Sequence, residues 1–75
     1  MELMKTTHLY HLGQNIRQLR EHRGLSQQAL AEASGVERSK ITKIENGNWN
    51  PTINTLNKLA TALDCAIDIR FTPIT

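Results

Sequence analysis

Punctuation constrains this chain more than any other feature. Gly24, Gly35 and Gly47, with the triplet Asn50-Pro51-Thr52, divide its 75 residues into short pieces. Glycine sits cheaply in the left-handed conformation that follows a helix C-terminus, and an Asn/Pro/Thr cluster opens the next helix. Between these marks the apolar residues keep helical spacing. Leu9, Leu12, Ile16 and Leu19 form the stripe of a first helix ending near Gly24. Ser26 is placed as the N-cap of a second, short helix, with Leu25 just outside it and Leu30, with Ala29 or Ala33, on the buried side. Gly35 follows directly as a turn residue. A third segment runs from Val36 to Gly47, with Val36, Ile41 and Ile44 facing inward together. The fourth helix starts either at an Asn50 cap with Pro51 as its first residue or at a Thr52 cap, and carries Ile53, Leu56, Leu59, Ala60 and Leu63.

Length closes off larger architectures. A chain of 8.5 kDa hides only roughly 60% of its extended surface on folding, which is one small core and no barrel or doubly wound sheet. Hydrophobic residues at 39% and charged residues at 21% describe a globular chain rather than a disordered one. No apolar run is long enough to span a bilayer, and MELMKTTHLY lacks the order of a secretory signal. One cysteine, Cys65, excludes an intrachain disulfide and fits a reducing, cytoplasmic setting. Cys65 itself reads as a small buried hydrophobe at a helix-to-strand junction. Residues 1–8 carry no strong period and are expected to be a flexible segment, followed by a domain over residues 9–64.

The period changes in the tail, residues 65–75. Ile67, Ile69 and Phe71 alternate with Asp68 and Arg70, a half-buried strand pattern that Pro73 ends. A lone strand is unstable. Its partner is either residues 3–7 or, at lower cost, the same strand of a second copy, which makes Ile67, Ile69 and Phe71 dimerisation residues. A fifth helix is the alternative, but the tail has the wrong period and poor helix formers for one. The expected fold is an all-α bundle of four to five elements with a short C-terminal β-strand.

Two short helices meeting around Gly35 are each too short to hold alone in water. They need the longer helices behind them, and the second short helix can then stand proud and enter a DNA major groove, which admits one helix. The residues Ser26-Gln27, Leu30-Ala31, Gly35-Val36, Ile41, Ile44-Glu45-Asn46-Gly47, Pro51-Thr52, Thr55-Leu56, Leu59-Ala60 and Ala62-Leu63 are each weak signs. Their joint spacing resembles the helix-turn-helix domain of the phage-repressor and Cro type, over roughly residues 9–63.

The resemblance implies a sequence-specific regulator that binds double-stranded DNA through a helix spanning about 37–45. Arg38, Ser39 and Lys43 take the positions that meet base edges, and Thr42 shares roughly that exposed face. Arginine and lysine pair with guanine, whereas serine and threonine are less exclusive. Gln27 is implied to grip a phosphate, where its amide sits beside free backbone N–H groups. Lys40 is expected to lay its stem along the core edge and reach a phosphate. Asn46 and Asn48 add donors in the loop after the reading helix, where backbone N–H groups are also implied to approach phosphate. Arg17 and Arg23 sit at the rim of the first helix as flanking phosphate contacts. Trp49 either lies against the sugar–phosphate backbone or packs on the domain.

Arg20 and Glu45 correspond to a partly buried interhelical salt bridge in the repressor family; the bland alternative is two exposed charges worth little. Glu37 departs from the family, which has Ser or Thr there: glutamate is a poor cap, and its charge opposes a nearby phosphate. His8, His11 and His22 match no zinc pattern, and the chain carries no recognisable nucleophile or phosphate-cradling loop. No metal, cofactor or enzymatic activity is expected.

A dimer places two reading helices about one DNA turn, roughly 34 Å, apart on a palindromic operator. It also doubles a contact surface that starts from a net charge of only +2 per chain. Some relatives of the antitoxin kind dimerise through such a strand, so a toxin is a further possible partner. The rival class is a protein-interaction module that never touches DNA. The retention of Gln27 and of a basic third helix favours DNA.

Overall fold

The structure, a computed structural model, describes residues 2–74, with side chains described from His8 onward. Helix α1 spans Glu2–His22, α2 spans Gln27–Ser34, α3 spans Arg38–Glu45 and α4 spans Ile53–Ala62. The backbone is thus helical ahead of Leu9, the first position of the apolar stripe.

Local chemistry sets the boundaries. Ser26 Oγ accepts from the Ala29 backbone N–H at 3.0 Å and opens α2. Gly35 closes it in the left-handed region, φ 78°, and its N–H donates to the Ala31 carbonyl at 2.9 Å; a Cβ there is strained by the backbone alone. At α4 it is Thr52, not Asn50, that caps, accepting from the Thr55 N–H at 3.1 Å. Glu37 stands at the N-cap of α3 without a side-chain cap bond.

These short helices are stabilised by what they bury. Ile16 of α1, Leu30 of α2, Ile41 and Ile44 of α3, Leu59 of α4 and Leu63 just after it form one core with Val36, which lies in the turn between α2 and α3. Helix α1 packs on α3, and α2 packs on both α3 and α4. Leu12, Leu19, Leu25, Leu56 and Trp49 close the margins. Trp49 therefore packs on the domain, with the Lys40 ammonium 5.5 Å from its ring centre. Ile53, grouped with the α4 stripe by spacing, is instead exposed: it is the first residue of its helix, before the turn that packs.

Residues 65–74 adopt no helix or strand. The C-terminal strand expected from the alternating pattern does not form within the single chain. Ile67 is half-buried, Ile69 and Phe71 are exposed, and the Cys65 thiol is half-buried with its sulfur 3.4 Å from the Leu63 carbonyl. A strand needs a neighbouring strand to satisfy its backbone, and among the described residues there is none.

Candidate nucleic-acid interface

The C-terminal end of α3 is where the polar interior of the molecule converges. Glu45 is 2% exposed. Its carboxylate accepts from Arg20 Nε at 2.7 Å, from Arg20 Nη2 at 3.0 Å and from Gln27 Nε2 at 3.1 Å. The guanidinium thus grips it with two prongs, and Nη1 donates to the Leu25 carbonyl at 2.8 Å. The hydrogen bond to Glu45 raises the Arg20 pKa above its ordinary value, against the opposing effect of burial. The pair joins α1 to α3 out of water.

Gln27 extends this network to the middle of α3. Its Oε1 accepts from Thr42 Oγ1 at 2.9 Å, and that hydroxyl also lies 3.1 Å from the Arg38 carbonyl. The chain Arg20–Glu45–Gln27–Thr42 therefore crosses three helices. Gln27, placed at a phosphate by resemblance, is tied inward through its carbonyl and one N–H; the second N–H of its amide is left by these contacts.

Two residues of α1 that spacing did not single out complete the anchor. A Cβ on Gly13 would collide with the Ile44 carbonyl oxygen and come within 2.7 Å of that of Glu45. Gln14 Nε2 donates to the same Glu45 carbonyl at 3.3 Å. A glycine inside an otherwise helical stripe is a legible sign of close packing; Gln14 gives no comparable sign.

The opposite side of α3 faces water. Arg38, Ser39, Lys40 and Lys43 are exposed, and Thr42 is half-buried. Arg38 and Lys43 enter no ion pair among the described residues. Lys40 differs: its ammonium is 3.6 Å from Glu37 as well as over Trp49. Arg17 is paired with Glu21 at 3.1 Å and Arg23 with Asp64 at 3.5 Å.

The following loop turns part of its backbone inward. The backbone N–H groups of Asn46, Gly47 and Asn48 donate to the carbonyls of Thr42, Ile44 and Lys43 at 3.1, 3.0 and 2.9 Å. They finish α3 rather than point outward, because helix-end carbonyls need donors. The exposed Asn46 and Asn48 side chains are what this loop offers to solvent.

Among the described residues no group of His, Cys, Asp or Glu is arranged to hold a metal, and no helix is long and apolar enough to cross a membrane. The arrangement offers a rigid rod with cationic and hydroxyl groups on its outer side, suited to hydrogen-bonding a polyanion.

Comparison with known proteins agrees with that geometry. The helix-turn-helix domain family matches residues 11–69. The HTH-type transcriptional regulator SutR of Escherichia coli is 39% identical over 62 residues, which cover 83% of this chain and 35% of SutR. The HTH-type transcriptional regulator SinR of Bacillus subtilis is 40% identical over 57 residues, covering 75% of this chain and 51% of SinR. The chain thus spans about a third of the one and half of the other. Among solved structures, the restriction-modification controller protein C.AhdI from Aeromonas hydrophila superposes with a TM-score of 0.79 at 43% identity, over 80% of this chain and 91% of C.AhdI. The family comprises transcriptional regulators rather than enzymes, and the helix pair α2–α3, the core beneath it and these matches together make this chain a member of the helix-turn-helix family of transcriptional regulators.

Proposed function

We propose that the protein is a dimeric, sequence-specific regulator that lays α3 in the major groove of a palindromic operator. One observation carries this reading. Arg38, Ser39 and Lys43 stand exposed on the outer side of a helix whose inner side is fixed by the Arg20–Glu45–Gln27 network. Arg38 and Lys43 then pair with guanine edges, while Ser39 accepts or donates less selectively. Thr42, with its hydroxyl held by Gln27, contributes its methyl group, which suits the thymine methyl.

Phosphate contacts position this helix without reading sequence. The free N–H of Gln27 and the side-chain amides of Asn46 and Asn48 serve that role. Lys40 and Arg17 join it by exchanging Glu37 and Glu21 for phosphate. The C-terminal segment with Ile67, Ile69 and Phe71 pairs two copies, and the regulator works in the cytoplasm beside its DNA. The match to C.AhdI, a restriction-modification controller, supports a compact regulator of that kind.

Binding-site selection with the purified protein tests the reading. The expected result is a palindromic consensus with half-sites one helical turn apart, bound at about 150 mM salt far more tightly than a scrambled duplex. Equal binding of both duplexes overturns sequence-specific reading, and failure to enrich any duplex returns the protein to the class of protein-interaction modules. Arg38→Ala should lose discrimination between the two duplexes, whereas Asn48→Ala, which removes only a phosphate donor, should weaken both alike.

A further inference from the structure

The tail carries a pattern that is complementary to itself. In an antiparallel pair, residues directly opposite each other project to the same face. A register between odd and even positions of Ile67-Asp68-Ile69-Arg70-Phe71 would set apolar side chains against charges. A two-fold axis at Asp68 or Arg70 would set like charges opposite one another, which is destabilising. An axis at Ile67 would pair the strand with Leu63, which ends α4, and one at Phe71 would leave Asp68 opposite Ile74. An axis through Ile69 alone pairs Asp68 of each copy with Arg70 of the other and Ile67 with Phe71.

Proline fixes the hydrogen-bond phase of that register. With the axis at Ile69, Pro73 lies opposite Cys65 of the other copy. Residues of an antiparallel pair alternate between hydrogen-bonded and non-hydrogen-bonded positions. Positions 65, 69 and 73 therefore share one phase. Proline has no N–H, so that phase is the non-hydrogen-bonded one, with Cα atoms of opposite residues about 4.5 Å apart.

The surface around the tail has room for such a partner. An apolar groove of about 520 Å³ between α1, α4 and the tail is lined by Leu12, Leu19, Leu56, Leu59, Ile67 and Ile69 among others. Phe71 is 98% exposed, and Asp68 and Arg70 of one chain already meet at 2.9 Å on a common side.

We propose that two copies pair their tails as an antiparallel ribbon with the two-fold axis at Ile69, crossing Asp68 with Arg70 and seating each Phe71 beside Ile67 over the other copy's groove. This deepens the dimeric reading above and rests on it. The ribbon satisfies the backbone that a single chain leaves unpaired and covers the exposed aromatic ring in one step.

Engineered cysteines report the register in the full chain. With Cys65→Ala as background, Ile69→Cys should cross-link to itself under mild oxidation, because Cα atoms at that spacing accept a disulfide. Ile67→Cys and Phe71→Cys should each fail alone and cross-link when mixed. Without cysteine changes, Asp68→Arg should weaken the dimer about tenfold by sedimentation, and the double variant Asp68→Arg/Arg70→Asp should recover it. A wild-type dimer in which Ile69→Cys does not cross-link overturns the register while leaving a dimer by another route. A wild-type chain that sediments as a monomer overturns the ribbon and the dimeric reading together. Operator binding by α3 is judged separately by the selection experiment.

Discussion

Glu45 holds the arrangement at the scale of single residues. Its carboxylate receives Arg20 and Gln27, its carbonyl receives Gln14, and Gly13 lies against its backbone. Removing one partner of a buried pair strands the other charge, at a cost of about 3 kcal/mol or more. Arg20→Met should therefore lower Tm by more than 10 °C in a thermal melt followed by circular dichroism, taking roughly 4 °C or more per kcal/mol for a domain this size; a drop of only a few degrees would show the bridge to be dispensable. The raised Arg20 pKa has a definite sign: the bridge's contribution is full at pH below the ordinary arginine value and fades only as pH climbs through the raised one, so neutral and mildly alkaline melts should agree. Gly13 inverts a usual rule. Glycine to alanine normally stabilises a helix by about 1 kcal/mol, yet Gly13→Ala should destabilise by about 2 kcal/mol in urea unfolding, since its methyl meets backbone oxygens that must shift.

Elements were legible in the sequence where they are specified locally. Ser26 and Gly35 bracket α2 as their chemistry demands, and the stripes of α1 and α4 bury Ile16, Leu59 and Leu63 and half-bury Leu12, Leu19 and Leu56. The start of α4 was open between Asn50 and Thr52, because either side chain can accept the same kind of bond; in the folded chain Thr52 accepts it from Thr55. The site was legible in part. The exposed set on α3 follows from the inward Ile41 and Ile44. The inward tie of Gln27 to Glu45 and Thr42 does not, because it depends on how α2 crosses α3. Glu37 makes a prediction for this scale. It caps α3 without a side-chain bond, so Glu37→Ser should gain a cap worth about 1 kcal/mol and lose roughly half of that in charge–dipole interaction. A small rise in Tm with tighter operator binding is expected; weaker binding would mean that Glu37 itself accepts from a base.

At the scale of the whole molecule, the sequence pattern and the single chain part company at both ends: the backbone is already helical ahead of Leu9, and the tail forms no strand. Alternation predicts a strand, but a strand is a relation between two segments, and among the described residues no other strand is present to pair with it. Ile69→Asp is the direct test of association: sedimentation should show a shift toward monomer, and an unchanged mass would place the contact elsewhere. Because DNA affinity of a two-headed binder depends on both heads engaging one duplex, the same variant should lose operator affinity by orders of magnitude while its fold and half-site preference persist.

The ties that hold α3 have an uneven distribution. All the side-chain bonds to α1 and α2 fall on Thr42 and Glu45, in its second half, while its first turn starts from an uncapped Glu37. The Lys43 end is thus fixed by directional polar bonds, and the Arg38 end by apolar contacts of Val36 and Ile41 alone. Directional bonds leave less play than apolar contacts, so tolerance for base substitution along a half-site should rise from the Lys43 end toward the Arg38 end.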